Sequence, residues 1–237
     1  MKTKIKAIIF DVDETLFDRV LAQQAVLELI VQQLPQVFGG YDTQRVLAAF
    51  LESDRVTTEV FNTGAPSEGS RDRRSKLFLQ LLGADEKDTA RITELYVRDY
   101  PTIKAHVDGA IPVIKKLSQK YKLGVVSNGF TDVQYRKLEA MGVRDLFACI
   151  VLSEEFGIRK PYPRIFQQAA LLLHMQPQEC LYVGDSYAND VIGAKTAGMQ
   201  ACWLNRVGQK MPDEKIRPDF VITNFAELPV LLEQQVN

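Results

Sequence analysis

Three carboxylates, Asp11, Asp13 and Glu14, lie within four residues directly after the apolar run Ala7-Ile8-Ile9-Phe10, with no Lys or Arg among them. A buried strand that ends in this much negative charge is a natural seat for a cation. Two later apolar runs also end in polar residues. One ends in Ser127-Asn128-Gly129, the other in Gly184-Asp185-Ser186 with Asn189-Asp190 just beyond, and Lys160-Pro161 stands between them. In an open parallel sheet, ligands bind outside the carboxyl ends of the strands. The collected groups are carboxylates, a hydroxyl, one cation and small residues. Such hard oxygen donors suit magnesium, completed by water and a substrate phosphate. Taken singly, each has an ordinary explanation, because an acid at a strand end commonly caps a helix or starts a turn. The ordered set, each member at a strand end or adjacent loop, carries the reading.

The elements that must position these groups are visible as short apolar runs at 5–10, 123–127, 149–152, 181–184, 201–204 and 220–223. Between most of them lie helical stripes, such as Ile111, Val113, Ile114 and Leu117, or Val133, Leu138 and Met141. Strands alternating with helices predict βαβ units and a mostly parallel sheet. Residues 17–100 read differently. Leu21, Val26, Leu29, Ile30 and Leu34 form a helical stripe, Gly39-Gly40 breaks it, and Asp42 looks like the N-cap of the next helix. The stretch 62–70, NTGAPSEGS, reads as a loop, and two further helices are expected around Leu77–Leu82 and Ile92–Tyr96. The expected organisation is an α/β core from 1–16 and 101–237, with a helical insertion at 17–100.

The 237 residues carry a formal net charge of −1, which argues against a general nucleic-acid or acidic-membrane binder. No apolar run is long enough to span a bilayer. Lys2, Lys4 and Lys6 precede an apolar run, but that run is too short for a signal peptide and stops at Asp11. Cys149, Cys180 and Cys202 each sit beside apolar residues and read as buried, reduced thiols, which favours a cytoplasmic location. The two histidines and three cysteines show no zinc-ligand spacing.

The set resembles the haloacid dehalogenase-like superfamily, in its phosphatase branch. The motif DxDxT is met by Asp11, Asp13 and Thr15, the strand-end hydroxyl by Ser127, the lysine by Lys160 and the acidic GD…D by Asp185 and Asp190. Within it, SNGFTDVQYRKLEAMG is similar to the pyrimidine nucleotidases and N-acylneuraminate-9-phosphatases. The resemblance implies a Rossmann-like three-layer core with an inserted α-helical cap. It also implies Asp11 as a nucleophile that forms an aspartyl-phosphate, and Asp13 as the acid and base for leaving group and water. Magnesium would be held by Asp11, the Asp13 backbone carbonyl and Asp185. Ser127, Lys160 and the Asn128 backbone N–H would hold the phosphate, with Thr15 and Asp190 in support. Glu14 is expected to be solvated or to face the cap.

The implied substrate is a small phosphomonoester, such as a nucleoside monophosphate or a sugar phosphate. A haloacid dehalogenase would need no acid at position 13. A phosphonatase would need a cap lysine able to form a Schiff base, for which Lys76 is the candidate. A catalytically idle binding module is the reading from another class, and the filled catalytic positions argue against it. The cluster Arg71, Arg73, Arg74 and Lys76 reads first as a solvated helix face, and second as a contact for a substrate anion. The oligomeric state is open.

Overall fold

The computed structural model describes residues 3–62, 70–212 and 215–234. Six strands, β1 Ala7–Phe10, β2 Lys122–Ser127, β3 Cys149–Leu152, β4 Cys180–Gly184, β5 Gln200–Leu204 and β6 Phe220–Ile222, form one sheet in the order β3-β2-β1-β4-β5-β6. All pairings are parallel. The helices are α1 Arg19–Gln33, α2 Pro35–Phe38, α3 Thr43–Asn62, α4 Ser70–Leu82, α5 Thr89–Asp99, α6 Ala110–Leu117, α7 Thr131–Ala140, α8 Ser153–Phe156, α9 Pro163–Leu172, α10 Ile192–Thr196 and α11 Glu227–Gln234.

The chain divides into two compact units, Met1–Arg19 with Lys104–Asn237, and Val20–Ile103. The first holds the sheet. All four residues of β1 are buried, as expected for a central parallel strand covered on both faces. Ala7 and Ile9 join the core beneath α9 and α10, with Ile165, Phe166, Ala169 and Ala194. Phe10 points the other way, with ring centroids 6.4 Å from those of both Phe147 and Phe225. Two buried faces on one sheet make the unit three-layered.

The chain leaves this unit and returns to it side by side. Val107 N–H donates to the Leu16 carbonyl and Asp18 N–H to the Ala105 carbonyl, both at 2.9 Å. This pairing keeps Phe17, Asp18 and Arg19 with the sheet unit. The division therefore falls at Val20 and Ile103, three residues beyond each of the boundaries expected at 17 and 100.

The second unit is helical. Asp42 Oδ1 caps α3, accepting from Gln44 N at 3.0 Å and Arg45 N at 3.2 Å. Its core is aromatic: Phe78 stacks on Phe38 and meets Phe50 edge-on, both at 5.5 Å, and Tyr96 stacks on Tyr100 at 4.7 Å. The guanidinium of Arg74 lies 3.3 Å over the Tyr96 ring and 3.8 Å from Asp54. Arg74 thus packs within the unit, which corrects the expectation of a wholly solvated basic face, while Arg73 and Lys76 are exposed. Of the NTGAPSEGS stretch expected as a loop, Asn62 is the last residue of α3 and Ser70 the first of α4, and the residues between lie outside the described residues.

Ile9 contributes a fully buried side chain to the centre of the sheet unit. Ile9→Ala is expected to lower the unfolding free energy by about 3 kcal/mol, and Asp42→Ala by about 1 kcal/mol through the lost cap. Urea titrations of the two variants check the ranking; an Ile9→Ala loss smaller than the cap loss would contradict this packing.

Candidate active site

β1 lies between β2 and β4. The chain runs outward from β1 to β2 and β3, then returns to build β4 on the other side, so the strand order reverses beside β1. That reversal opens a crevice at the carboxyl ends of the strands. Phe10 is paired with Val125 and Val183. Asp11 therefore leaves β1 one residue short of the level of Ser127 and Asp185.

Three carboxylates gather there. Oxygens of Asp11, Asp185 and Asp190 all lie within 4.8 Å of one another. Lys160 Nζ sits among them, 2.6 Å from Asp11 Oδ1, 2.7 Å from Asp190 Oδ1 and 3.1 Å from the Tyr182 hydroxyl. Tyr182 in turn donates to the Val126 carbonyl at 2.9 Å. The three ammonium protons thus already have partners, and Lys160 reaches a phosphate only by releasing one of them.

Both Asp190 oxygens are engaged, since Oδ2 accepts from Ser186 N at 3.0 Å. Gly184 makes room for this: a Cβ there would fall 2.3 Å from Asp190 Oδ2. Thr15, fully buried, accepts from Asp185 N at 3.1 Å and donates to Asp185 Oδ1 at 3.3 Å. Trp203 Nε1 donates to the Asp185 carbonyl at 2.7 Å.

Ser127 is buried at the end of β2, and its hydroxyl accepts from Gly129 N at 3.2 Å. Asn128 uses its side chain to tie two loops together: Oδ1 accepts from Lys160 N at 2.8 Å and Nδ2 donates to the Lys160 carbonyl at 3.1 Å. Asp13 is held apart from the cluster. Lys137 Nζ donates to its Oδ1 at 2.5 Å and Gln134 Nε2 to its Oδ2 at 2.7 Å. Glu14 has φ of +60°, and its carboxylate lies 3.7 Å from Arg206, which also donates to Asp18 at 2.9 Å. Glu14 is therefore paired rather than simply solvated.

The electrostatics separate the two carboxylates of the first loop. Burial pushes Asp11 up to about 7; Lys160 draws it down, while Asp190 and Asp13 push it further up. Burial likewise pushes Asp185 up to about 8, with Asp190 and Asp11 adding to it. Burial works against the charge on Lys160 too, but Asp11 and Asp190 hold its affinity for the proton above normal. Burial would raise Asp13, but Lys137 and Arg19, with the hydrogen bonds from Lys137 and Gln134, hold it below the ordinary carboxylate range.

With all three carboxylates ionised, the single ammonium would leave two negative charges unbalanced in the cluster. A divalent cation with a preference for oxygen would balance it, so the donor set fits magnesium. Among the described residues, the sequence reading missed Gln134, Lys137, Tyr182 and Arg206. Lys137 had left a signal: it stands four residues after Val133, where the helical stripe calls for an apolar side chain.

Fold and cluster together define an α/β protein with an acid-lined crevice at a topological switch point. The family model of haloacid dehalogenase-like hydrolases matches residues 5–198, and the chain belongs to that family. It is 32% identical over 234 residues to a glyceraldehyde 3-phosphate phosphatase of Methanopyrus kandleri, covering 94% of this chain and 95% of that one. It is 32% identical over 146 residues to the pyrimidine 5'-nucleotidase YjjG of Escherichia coli, covering 61% and 64%. A solved structure of the Bacillus subtilis HAD-hydrolase YfnB, bound to magnesium and described as revealing interdomain movement, superposes with a TM-score of 0.82. It is 26% identical, with 97% of this chain and 99% of that one covered.

Asp11 and Asp185 bind protons more tightly in the folded state than in the unfolded chain, where carboxylates titrate near 4. Their contribution to stability is full below that value and is lost as the pH rises through about 7 to 8. Metal-free protein is therefore expected to melt lower at about pH 8.5 than at about pH 5.5, by a few degrees. Excess magnesium should narrow the difference, and Asp11→Asn should shrink it. Thermal scans at the two pH values check this; a metal-free melting temperature that rises with pH would contradict it.

Proposed function

We propose that the chain is a magnesium-dependent phosphatase that hydrolyses small phosphomonoesters through an aspartyl-phosphate on Asp11. The observation that carries this is the placement of Asp11: buried at the switch point, with one oxygen held 2.6 Å from Lys160 and the other left for a reacting atom. In this reading Asp11 Oδ2 attacks phosphorus while the bond from phosphorus to the ester oxygen breaks. Asp13 gives its proton to the departing oxygen. It then takes a proton from the water that attacks phosphorus and frees Asp11. The donors on both Asp13 oxygens favour the anion, the form needed for the second step; an arriving phosphate dianion raises its proton affinity for the first.

Ser127 and the Asn128 backbone N–H would hold phosphate oxygens, joined by Lys160 if it releases a partner. Asp11, the Asp13 carbonyl and Asp185 would hold the magnesium, which when bound offsets charge on the transferring group. Thr15 steadies Asp185, and Asp190 steadies Lys160. The helical unit, whose chain follows the Asp11–Phe17 loop directly, is assigned the part of a cap that excludes water.

The names of the relatives, a glyceraldehyde 3-phosphate phosphatase and a pyrimidine 5'-nucleotidase, support small metabolites such as sugar phosphates and nucleoside monophosphates. Two observations weigh against other chemistries of the family. Asp13 is held by two donors, and a dehalogenase has no leaving oxygen to protonate. Lys76 is exposed and 3.1 Å from Glu86, unlike the desolvated amine that Schiff-base chemistry uses.

Purified protein with magnesium is expected to release phosphate from p-nitrophenyl phosphate and from members of a panel of metabolite esters. Excess chelator should abolish the release and magnesium restore it. Asp11→Asn should lose activity by on the order of a thousandfold or more while keeping its fold. Wild-type turnover by that variant, or full activity in chelator, would overturn the reading.

A further inference from the structure

We propose that Lys137 and Gln134 are positioning residues that aim the Asp13 carboxyl group at the ester oxygen of the substrate. The inference rests on the phosphatase reading and deepens it. Both residues stand on α7, three positions apart and so on one face of the helix. Both are polar and both are 1% exposed. A helix that only needed to pack would carry apolar side chains at these two positions, as it does at Val133 and Leu138.

Their placement is specific. Each Asp13 oxygen receives one donor, Oδ1 from Lys137 and Oδ2 from Gln134. Two donors from one rigid helix fix both the plane and the direction of a carboxylate that hangs from a tight loop. That loop is closed by Leu16 N and Phe17 N donating to the Val12 carbonyl at 2.8 and 2.9 Å. The Lys137 ammonium also lies 4.4 Å from the centre of the Phe17 ring, a fully buried side chain of the same loop, where the ring face favours a cation.

Gln134 is locked from the other side as well. A Cβ on residue 129 would fall 1.8 Å from Gln134 Nε2, so only glycine fits behind Ser127-Asn128 while Gln134 keeps its place. The clamp thereby links Asp13 to the loop that would hold the phosphate. Lys137 is almost fully enclosed while the Asp13 side chain is 29% exposed. The lysine therefore acts through the carboxylate and not on substrate.

Leaving-group dependence separates aiming from mere support of the fold. Departure of an alkoxide needs a well-placed proton, whereas p-nitrophenolate departs with little help. Wild type, Lys137→Met and Gln134→Leu would be assayed for kcat/KM on p-nitrophenyl phosphate and on an alkyl phosphate, with melting temperatures recorded. Lys137→Met is expected to lose about a hundredfold on the alkyl ester and less than about fivefold on the aryl ester. Gln134→Leu should show the same asymmetry at about tenfold, and it carries the test alone if Lys137→Met does not fold. Equal losses on both substrates, or no loss on either, would overturn the inference while leaving the phosphatase reading intact. A wild-type protein inactive on both esters would overturn that reading and the inference with it.

Discussion

The structure is organised around one electrostatic difficulty: three carboxylates and a single ammonium packed together at the carboxyl ends of β1 and β4. Burial drives two of these acids towards the protonated form, pushing Asp11 to about 7 and Asp185 to about 8. The surroundings are built to keep the group assembled regardless. Thr15 ties the first loop to Asp185, and Trp203 holds the Asp185 carbonyl. Gly184 leaves space for Asp190, which bonds Lys160 and Ser186 at once. Asn128 pins the backbone of Lys160 from the neighbouring loop. Each tie comes from a different strand end, so the parallel order of the sheet is what makes the cluster possible.

Two residues along, the same loop solves the opposite problem. Asp11 is pushed up and Asp13 is held down. Carboxyl groups whose environments push them apart are the usual sign of divided labour between them. The division has a structural source: Asp11 shares its cation with other acids, whereas Asp13 has Lys137 and Gln134 bonded to it from α7. Glu14, with φ of +60°, makes the turn between the two segments, and Arg206 braces it.

Much of this was legible in the chain because buried parallel strands are read as short apolar runs, and all six strands fall on such runs. The polar residues at their ends were legible for the same reason: a charge directly after a buried strand stands out. Helical periodicity marked the insertion and the Asp42 cap. The ties were hidden. Tyr182 looks like one more core residue in an apolar strand, and its hydroxyl partners come from 22 and 56 residues away. Lys137 interrupts a helical stripe, but its partner Asp13 lies 124 residues earlier. The division at Val20 and Ile103 depends on hydrogen bonds between residues 16–18 and 105–107, a pairing no local pattern announces. Arg74 read as a surface charge because its stacking on Tyr96 joins two helices.

If the cluster is a metal seat, its three acids have unequal parts. Asp185 keeps an oxygen for a cation, whereas both oxygens of Asp190 are spent on Lys160 and Ser186. Calorimetric titration of magnesium into wild type, Asp185→Asn and Asp190→Asn tests this most directly. One ion per chain should bind to wild type, binding should be lost in Asp185→Asn, and Asp190→Asn should retain it with weakened affinity. Magnesium bound undiminished by Asp185→Asn, or not at all by wild type, would contradict the account.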